Sequence, residues 1–318
     1  MLTKAGIRAR AALLALAAAL AFDRPAPAGV IYATSNSANE IYSVDTVSHT
    51  VTPVAHTPAG LDSLFFDPSG RIIYSSQTSN LVGAFDPSKG TNVTLASGLG
   101  GPRDLALEPG LRSFLVSEQT HSLTRVSLSG GVLGSLALDG RPEGVTYDNS
   151  GRLFVNVSSN FGVNDTQVER IDPTTGRVLS TTGNTGVFLD GLTFDSFTGM
   201  LFAADFNHGR ILEIDPTTMT IVATLIPRGA TLSIPDGLTA DGTGSIYIAS
   251  EGNSSVVQYD IRTNSATVVG TVNGLDDLAP ASGLGAPVPE PSSLLLAGTG
   301  ALALLGYRPR RKRLPAAA

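Results

Sequence analysis

Carboxylates recur along this chain at one position of a repeating pattern. Asp62, Asp104, Glu143, Asp190, Asp236 and Asp276 each stand near the start of a short apolar run, and Glu143, Asp190 and Asp236 are followed by Gly. Acids brought together on one circle repel one another unless a cation, hydrogen bonds or water offset the field. Oxygen ligands without cysteine or a histidine cluster suit Ca²⁺ or Mg²⁺ rather than zinc. The alternative is that these acids cap turns and bind backbone amides.

A second polar set follows the next run of each unit: Glu118, Asn160, Asp205, Asn207, His208, Glu251 and Asn253. His208 is the one histidine among them, and no serine and acid stand in register with it; His49, His56 and His121 are scattered. The chain has no phosphate loop, nucleophile elbow or metalloprotease helix. The catalytic residues, if any, are therefore unassigned. The loop Phe161–Gln167 is a small insertion, of the kind that tunes ligand choice.

These residues need a scaffold that repeats. An acid precedes a turn at Asp67, Glu108, Asp148, Asp195 and Asp241, at intervals of 41, 40, 47 and 46 residues. Each unit holds four strand-like runs separated by Asp-Pro, Thr-Gly or Ser-Gly turns. Asp86, Asp172, Asp215 and Asp241 read as turn residues. Four strands per unit of this length make a propeller blade. The first blade, from Gly29, lacks its inner strand, and Gly274–Pro280 matches the missing motif. Five complete units and one shared blade predict an all-β, six-bladed β-propeller over residues 29–280, closed by the C-terminal strand.

The two ends differ from the body. Residues 1–28 read as a signal peptide: Lys4, Arg8 and Arg10 precede the apolar run Ala11–Phe22, and Ala26-Pro27-Ala28 fits cleavage after Ala28. Cleavage after Ala21 is the alternative. Residues 281–288 read as a linker. Residues 289–313 combine Pro289-Glu290-Pro291, an apolar helix over 292–307 and the basic stop Arg310-Arg311-Lys312-Arg313, before a tail at 314–318. The helix would span roughly 24 Å, a little short of the ~30 Å hydrocarbon core, and its basic end should stay cytoplasmic.

The body from residue 29 to 291 carries twelve basic and 26 acidic residues, a net charge of −14. Such a surface disfavours nucleic acid. With no cysteine in the chain, disulfides and thiolate metal sites are excluded.

The tail resembles the PEP-CTERM sorting signal in all three parts. That resemblance implies recognition by an exosortase-type enzyme in a Gram-negative envelope, transient residence in the inner membrane, and a final place at the cell surface or outside it. The body resembles the NHL and senescence-marker/gluconolactonase-like six-bladed propellers, through Leu189-Asp190-Gly191-Leu192, Pro235-Asp236-Gly237-Leu238 and Pro142-Glu143-Gly144-Val145. In the gluconolactonase-like family this position supplies metal ligands. The resemblance carries that role to Asp190 and Asp236, with Glu143 by register and Asp276 or Asp62 from the shared blade, and implies Ca²⁺ as cofactor. Two functions compete: an exported binding or scaffold module for a glycan, peptide or matrix component, associated with matrix or exopolysaccharide, and a metal-dependent lactonase-type hydrolase. The first needs only fold and tail, and is the reading preferred here.

Overall fold

The structure, a computed structural model, describes residues 29–280. The signal-peptide cleavage site, the linker, the Pro289-Glu290-Pro291 motif and the sorting helix lie outside the described residues. Among the described residues no helix is long and apolar enough to cross a membrane.

Twenty-four strands form six four-stranded antiparallel sheets, one per blade. The inner strands are Leu275–Pro280, Leu61–Phe66, Pro102–Leu107, Arg141–Tyr147, Leu189–Asp195 and Pro235–Ala240, for blades 1 to 6. Blade 1 is composite. Its inner strand comes from the end of the described chain and pairs with Val30–Ser35, aligning Tyr32 with Ala279 and Ser35 with Leu275.

Burial follows position in the blade. The second strands, such as Ile72–Ser76, Leu153–Ser158 and Ser245–Ser250, are buried along their whole length, because both faces pack on other blades. The outer strands, such as Thr91–Ser97 and Val132–Ala137, are largely exposed. Apolar side chains of adjacent blades interlock between the sheets. Phe65 and Ile73 of blade 2 pack with Phe114 and Val116 of blade 3, the two phenyl rings edge to face at 5.4 Å.

The recurrent acids before the first turn hold that turn in place. Asp67 Oδ1 accepts from the backbone N–H groups of Ser69 and Arg71, each at 2.9 Å. Asp148 does the same for Ser150 and Arg152, and Asp241 for Thr243 and Ser245. The Asp-Pro acids behave alike: Asp86, Asp172 and Asp215 each accept from the backbone N–H two residues on.

Every inner strand carries a β-bulge at one place. Register shifts between Leu61 and Leu64, Pro102 and Leu105, Pro142 and Val145, Leu189 and Leu192, and Pro235 and Leu238. In blade 1 the same shift falls opposite Leu275 and Leu278. A bulge sets two residues against one and re-aims their side chains. Here the two bulged residues of each blade face the central channel.

Candidate functional site: the mouth of the central channel

The bulges define two tiers around the channel. In register, the outer tier is Asp62, Arg103, Glu143, Asp190, Asp236 and Asp276. The inner tier is Ser63, Asp104, Gly144, Gly191, Gly237 and Asp277. This corrects the sequence alignment at one blade. Asp104 does not share a circle with Asp62 and Asp190; Arg103 holds that place, and Asp104 lies one step further in. Blade 3 is the degenerate repeat, and its Pro-Arg-Asp invites a one-residue slip.

Arg103 supplies the counter-charge of the outer tier. It is 7% exposed. Its Nε lies 2.9 Å from Glu143 Oε2 and 3.9 Å from Asp62 Oδ2, and a terminal nitrogen lies 3.3 Å from Asp190 Oδ2. Arg141 reaches the other oxygen of Glu143 at 3.0 Å. Glu143 is fully buried, yet neither of its oxygens accepts an aligned hydrogen bond. Both guanidiniums approach Glu143 closely without aiming an N–H at it.

The other carboxylates lean on neutral groups. Asp104 accepts from Ser63 Oγ at 2.8 Å, from its neighbour Leu105 N at 2.7 Å and from Val145 N of the next blade at 2.7 Å. Asn36 Nδ2 donates to Asp276 at 3.2 Å, and Gln77 Nε2 to Asp62 at 3.2 Å. Asp236 lines a small open space together with Asp62, Arg103, Asp104, Asp190 and Asp277.

Burial dominates the protonation of this cluster. It raises Asp62 to about 6 against the opposing pull of Arg103. It raises Asp104 to about 7 despite three donors. Glu143 rises to about 8, through burial and then repulsion by Asp190. Asp236, Asp276 and Asp277 are also driven well above the usual carboxylate range, by burial first and neighbouring acids second. The channel therefore stores protons near neutrality.

The glycines of the inner tier have a packing reason. A Cβ on Gly144 would meet Leu192 N at 2.5 Å and Asp190 O at 2.6 Å; one on Gly191 would collide with Asp236 O, and one on Gly237 with the Asp277 carboxylate. Each inner strand presses on the next through a residue with no side chain. The Asp-Gly and Glu-Gly pairs are thus partly a device for close approach between blades. Opposite the bulges, side chains of the second strands satisfy freed backbone groups. Thr34 Oγ1 donates to Asp62 O at 2.6 Å and accepts from Asp277 N at 2.8 Å. Ser75 Oγ accepts from Ser63 N and Ser117 Oγ from Asp104 N, and Asn156 Nδ2 donates to Asp190 O.

The four residues expected to hold a cation are thus brought to one circle but in different company. Glu143 and Asp190 are spanned by Arg103, Asp276 takes an amide, and Asp236 faces the open space. Among the described residues, no group of three or more His, Asp or Glu stands in a geometry that could hold a metal ion. A divalent ion shared by all four would have to displace Arg103.

Above this circle lies an aromatic roof that sequence reasoning did not foresee. Phe161, in the blade-four insertion, packs edge to face on Phe188 at 5.0 Å and Phe206 at 5.7 Å. The guanidinium carbons of Arg103 and Arg141 each lie 5.0 Å from its ring centroid. Phe161 remains 43% exposed. The signal available in the sequence was register: Arg141 and Phe188 occupy the place of Gly60, Gly101 and Gly274 in other blades.

The rim residues separate into roles. Glu118 Oε2 accepts from Gly100 N at 2.7 Å, and Asn253 Nδ2 donates to Thr231 O. Asn207 bridges to Asn164 of the insertion at 2.8 Å. Asn160 Oδ1 accepts from Phe161 N, and Glu251 opens a short 3₁₀ turn. His208 has an acid partner after all. Its Nδ1 lies 2.8 Å from Oδ1 of buried Asp205, whose other oxygen accepts from Arg210 Nε at 2.6 Å.

Comparison with known proteins adds two facts. The PEP-CTERM protein-sorting motif matches residues 287–312. The chain carries that motif, the mark of a protein exported in a Gram-negative bacterium and anchored in the membrane through its C-terminus. No curated protein sequence matches the chain. Several solved structures match its fold. A chain of the nidogen/laminin complex is 17% identical, with a TM-score of 0.65, and the match covers 79% of this chain and 97% of that one. Virginiamycin B lyase from Staphylococcus aureus is 14% identical at a TM-score of 0.56, over 76% and 80% of the two chains. Kuenenia stuttgartiensis hydrazine synthase is 15% identical at 0.59, over 74% of each. At such identities the likeness is one of fold, and the named proteins already differ in what they do.

Proposed function

We propose that this protein is an exosortase-processed envelope propeller that acts as a binding module, with the roofed channel mouth as its ligand-facing surface. The observation that carries this reading is the use made of the carboxylate circle. Arg103 and Arg141 supply counter-charge from within the chain, and Phe161 stands over them with its ring part exposed. Side chains so committed suit recognition better than metal-assisted hydrolysis, which needs a cation held by open ligands. Strand direction supports the same assignment. Ser35 and Leu275 pair at the mouth end, whereas Ile31 and Pro280 pair at the far end, so the chain leaves the ring on the face away from the mouth. The ligand classes are a glycan, a peptide or a matrix component.

Two measurements test the reading. Purified full chain should co-sediment with the extracellular polymer fraction of a host that sorts it, and Phe161→Ala should weaken that association several-fold without changing the melting temperature by more than a few degrees. Unchanged association in Phe161→Ala would remove the mouth from the proposal. In parallel, chelator and then Ca²⁺ are added during thermal unfolding. A melting temperature that falls with chelator, recovers with Ca²⁺, and ignores both in the Asp190→Asn/Asp236→Asn double variant would favour the calcium-dependent lactonase reading.

A further inference from the structure

The seam that closes the ring depends on one turn, Val272–Gly274, just ahead of the inner strand of blade 1. Asn273 O accepts from Ser35 Oγ at 2.7 Å and from Ser37 Oγ at 3.4 Å. Gly274 O accepts from Asn36 N at 2.8 Å. Gly274 has φ +64°, and a Cβ there would collide with Ser37. The turn that launches the last strand is thus clasped to the turn that follows the first strand.

Asn273-Gly274 is the sole Asn-Gly pair in the chain. Asn273 is exposed. Among the described residues its carboxamide has no hydrogen-bond partner, and the Gly274 N–H donates to nothing. Three other turn asparagines are tied down. Asn184 Oδ1 accepts from Gly186 N, Asn253 Nδ2 donates to Thr231 O, and Asn264 Oδ1 accepts from Tyr259. At Asn273 the electrophilic carbon and the nucleophilic nitrogen are both unencumbered, and glycine places no side chain in the way.

We propose that Asn273 is a spontaneous modification site, converting to isoaspartate and so loosening the strand that closes the propeller. Gly274 N attacks Asn273 Cγ; the N–Cγ bond forms and the Cγ–Nδ2 bond breaks. The amide proton of Gly274 leaves with Nδ2 as ammonia, and a five-membered succinimide remains. Water then opens the ring at either carbonyl, and no oxidant or reductant takes part. Attack at Cγ gives aspartate. Attack at the former main-chain carbonyl gives isoaspartate, whose backbone runs through Cβ and Cγ. The carbonyl held by Ser35 and Ser37 then becomes a carboxylate off the main chain. The clasp gains one backbone carbon, so Gly274 and Leu275 can no longer keep their places beside Asn36 and Ser35.

The test is ageing of the full chain in mildly alkaline buffer at 37 °C, followed by peptide mass mapping, an isoaspartate-specific methylation assay and thermal unfolding. The expected result is a gain of one mass unit at Asn273 and a melting temperature several degrees lower, falling in step with the isoaspartate fraction. Asn273→Gln, whose longer side chain cyclises slowly and whose carboxamide touches nothing, should age without that loss. Fresh Asn273→Asp, which has the charge but an ordinary backbone, should melt close to fresh wild type. Asn273 remaining intact while other asparagines convert would overturn the proposal. So would isoaspartate at Asn273 with an unchanged melting curve, or a fresh Asn273→Asp that melts as low as aged wild type.

Discussion

At the scale of single residues, the channel is a store of protons held by burial against the opposing pull of two arginines. Asp62, Asp104 and Glu143 titrate near 6, 7 and 8 in the folded ring, against about 4 in an unfolded chain. Between those values the folded state binds protons that the unfolded state has released. The stability these three groups contribute is therefore fully present below about pH 4 and is lost as pH rises through their folded values. Thermal unfolding across this range should show a melting temperature that declines with pH; one that rises over the same interval would contradict the burial assignment. Removing the internal counter-charge should sharpen the effect. Arg103→Met leaves Asp62, Glu143 and Asp190 facing one another, a loss of about 3–5 kcal/mol when a buried pair is broken from one side. The loss should shrink at pH 5, where protonation relieves the repulsion. An equal loss at both pH values would mean that Arg103 acts through packing alone.

At the scale of elements, the repeat shows where a blade departs from its own rule. The residue before the inner strand is Gly60, Gly101 or Gly274 in three blades, with φ of +77°, +68° and +64°. Blade 6 places Ile234 there, at φ +50° and 39% exposed. A β-branched residue in this region is strained, and a left-handed conformation costs an L-residue roughly 1–2 kcal/mol. Ile234→Gly should release that strain and lose part of it again to unfolded-chain entropy, so denaturant unfolding should show a net gain of about 0.5–1 kcal/mol. A destabilised variant would show that the Ile234 side chain makes contacts worth more than the strain. Blades 4 and 5 depart in a different sense. Arg141, Phe188 and the Phe161 insertion replace small residues with the parts of the aromatic roof, and these departures concentrate at one side of the mouth.

At the scale of the whole molecule, two features at the chain's ends carry the organisation. Pairing of Leu275–Pro280 with Val30–Ser35 completes blade 1 and leaves no inner edge open. A chain ending before Gly274 uncovers Ile31, Ala33 and Val269, which pack with Leu275 and Leu278. It should unfold in a broader transition at a lower temperature; a melting curve matching that of the full chain would show the seam to be dispensable. Beyond the ring, residues 287–312 match the PEP-CTERM protein-sorting motif. Replacing Pro289, Glu290 and Pro291 while keeping the apolar helix should trap full-length protein in the inner membrane. Normal processing of that variant, seen on immunoblots of fractionated cells, would reduce the tail to a plain anchor.

The sequence by itself determined the architecture, because a propeller writes each blade out again. Turn acids such as Asp67 and Asp148 recur at blade length, and the half-blade at Gly29 has its complement at Gly274–Pro280. It determined the sorting tail too, since that signal is contiguous and is read linearly. The company kept by each carboxylate was decided only by tertiary structure. Asp62, Arg103, Glu143 and Asp190 lie about forty residues apart in sequence and meet only when four bulges face one axis. Whether Arg103 or Asp104 joined that circle turned on a one-residue register in the least regular blade, and a shift of one residue in a strand sends a side chain to the other tier. The His208–Asp205 pair depended on the geometry of a tight turn. Phe161 was legible as part of an insertion, but its place over two guanidiniums depended on how the loop folds back across the mouth, which no local pattern encodes.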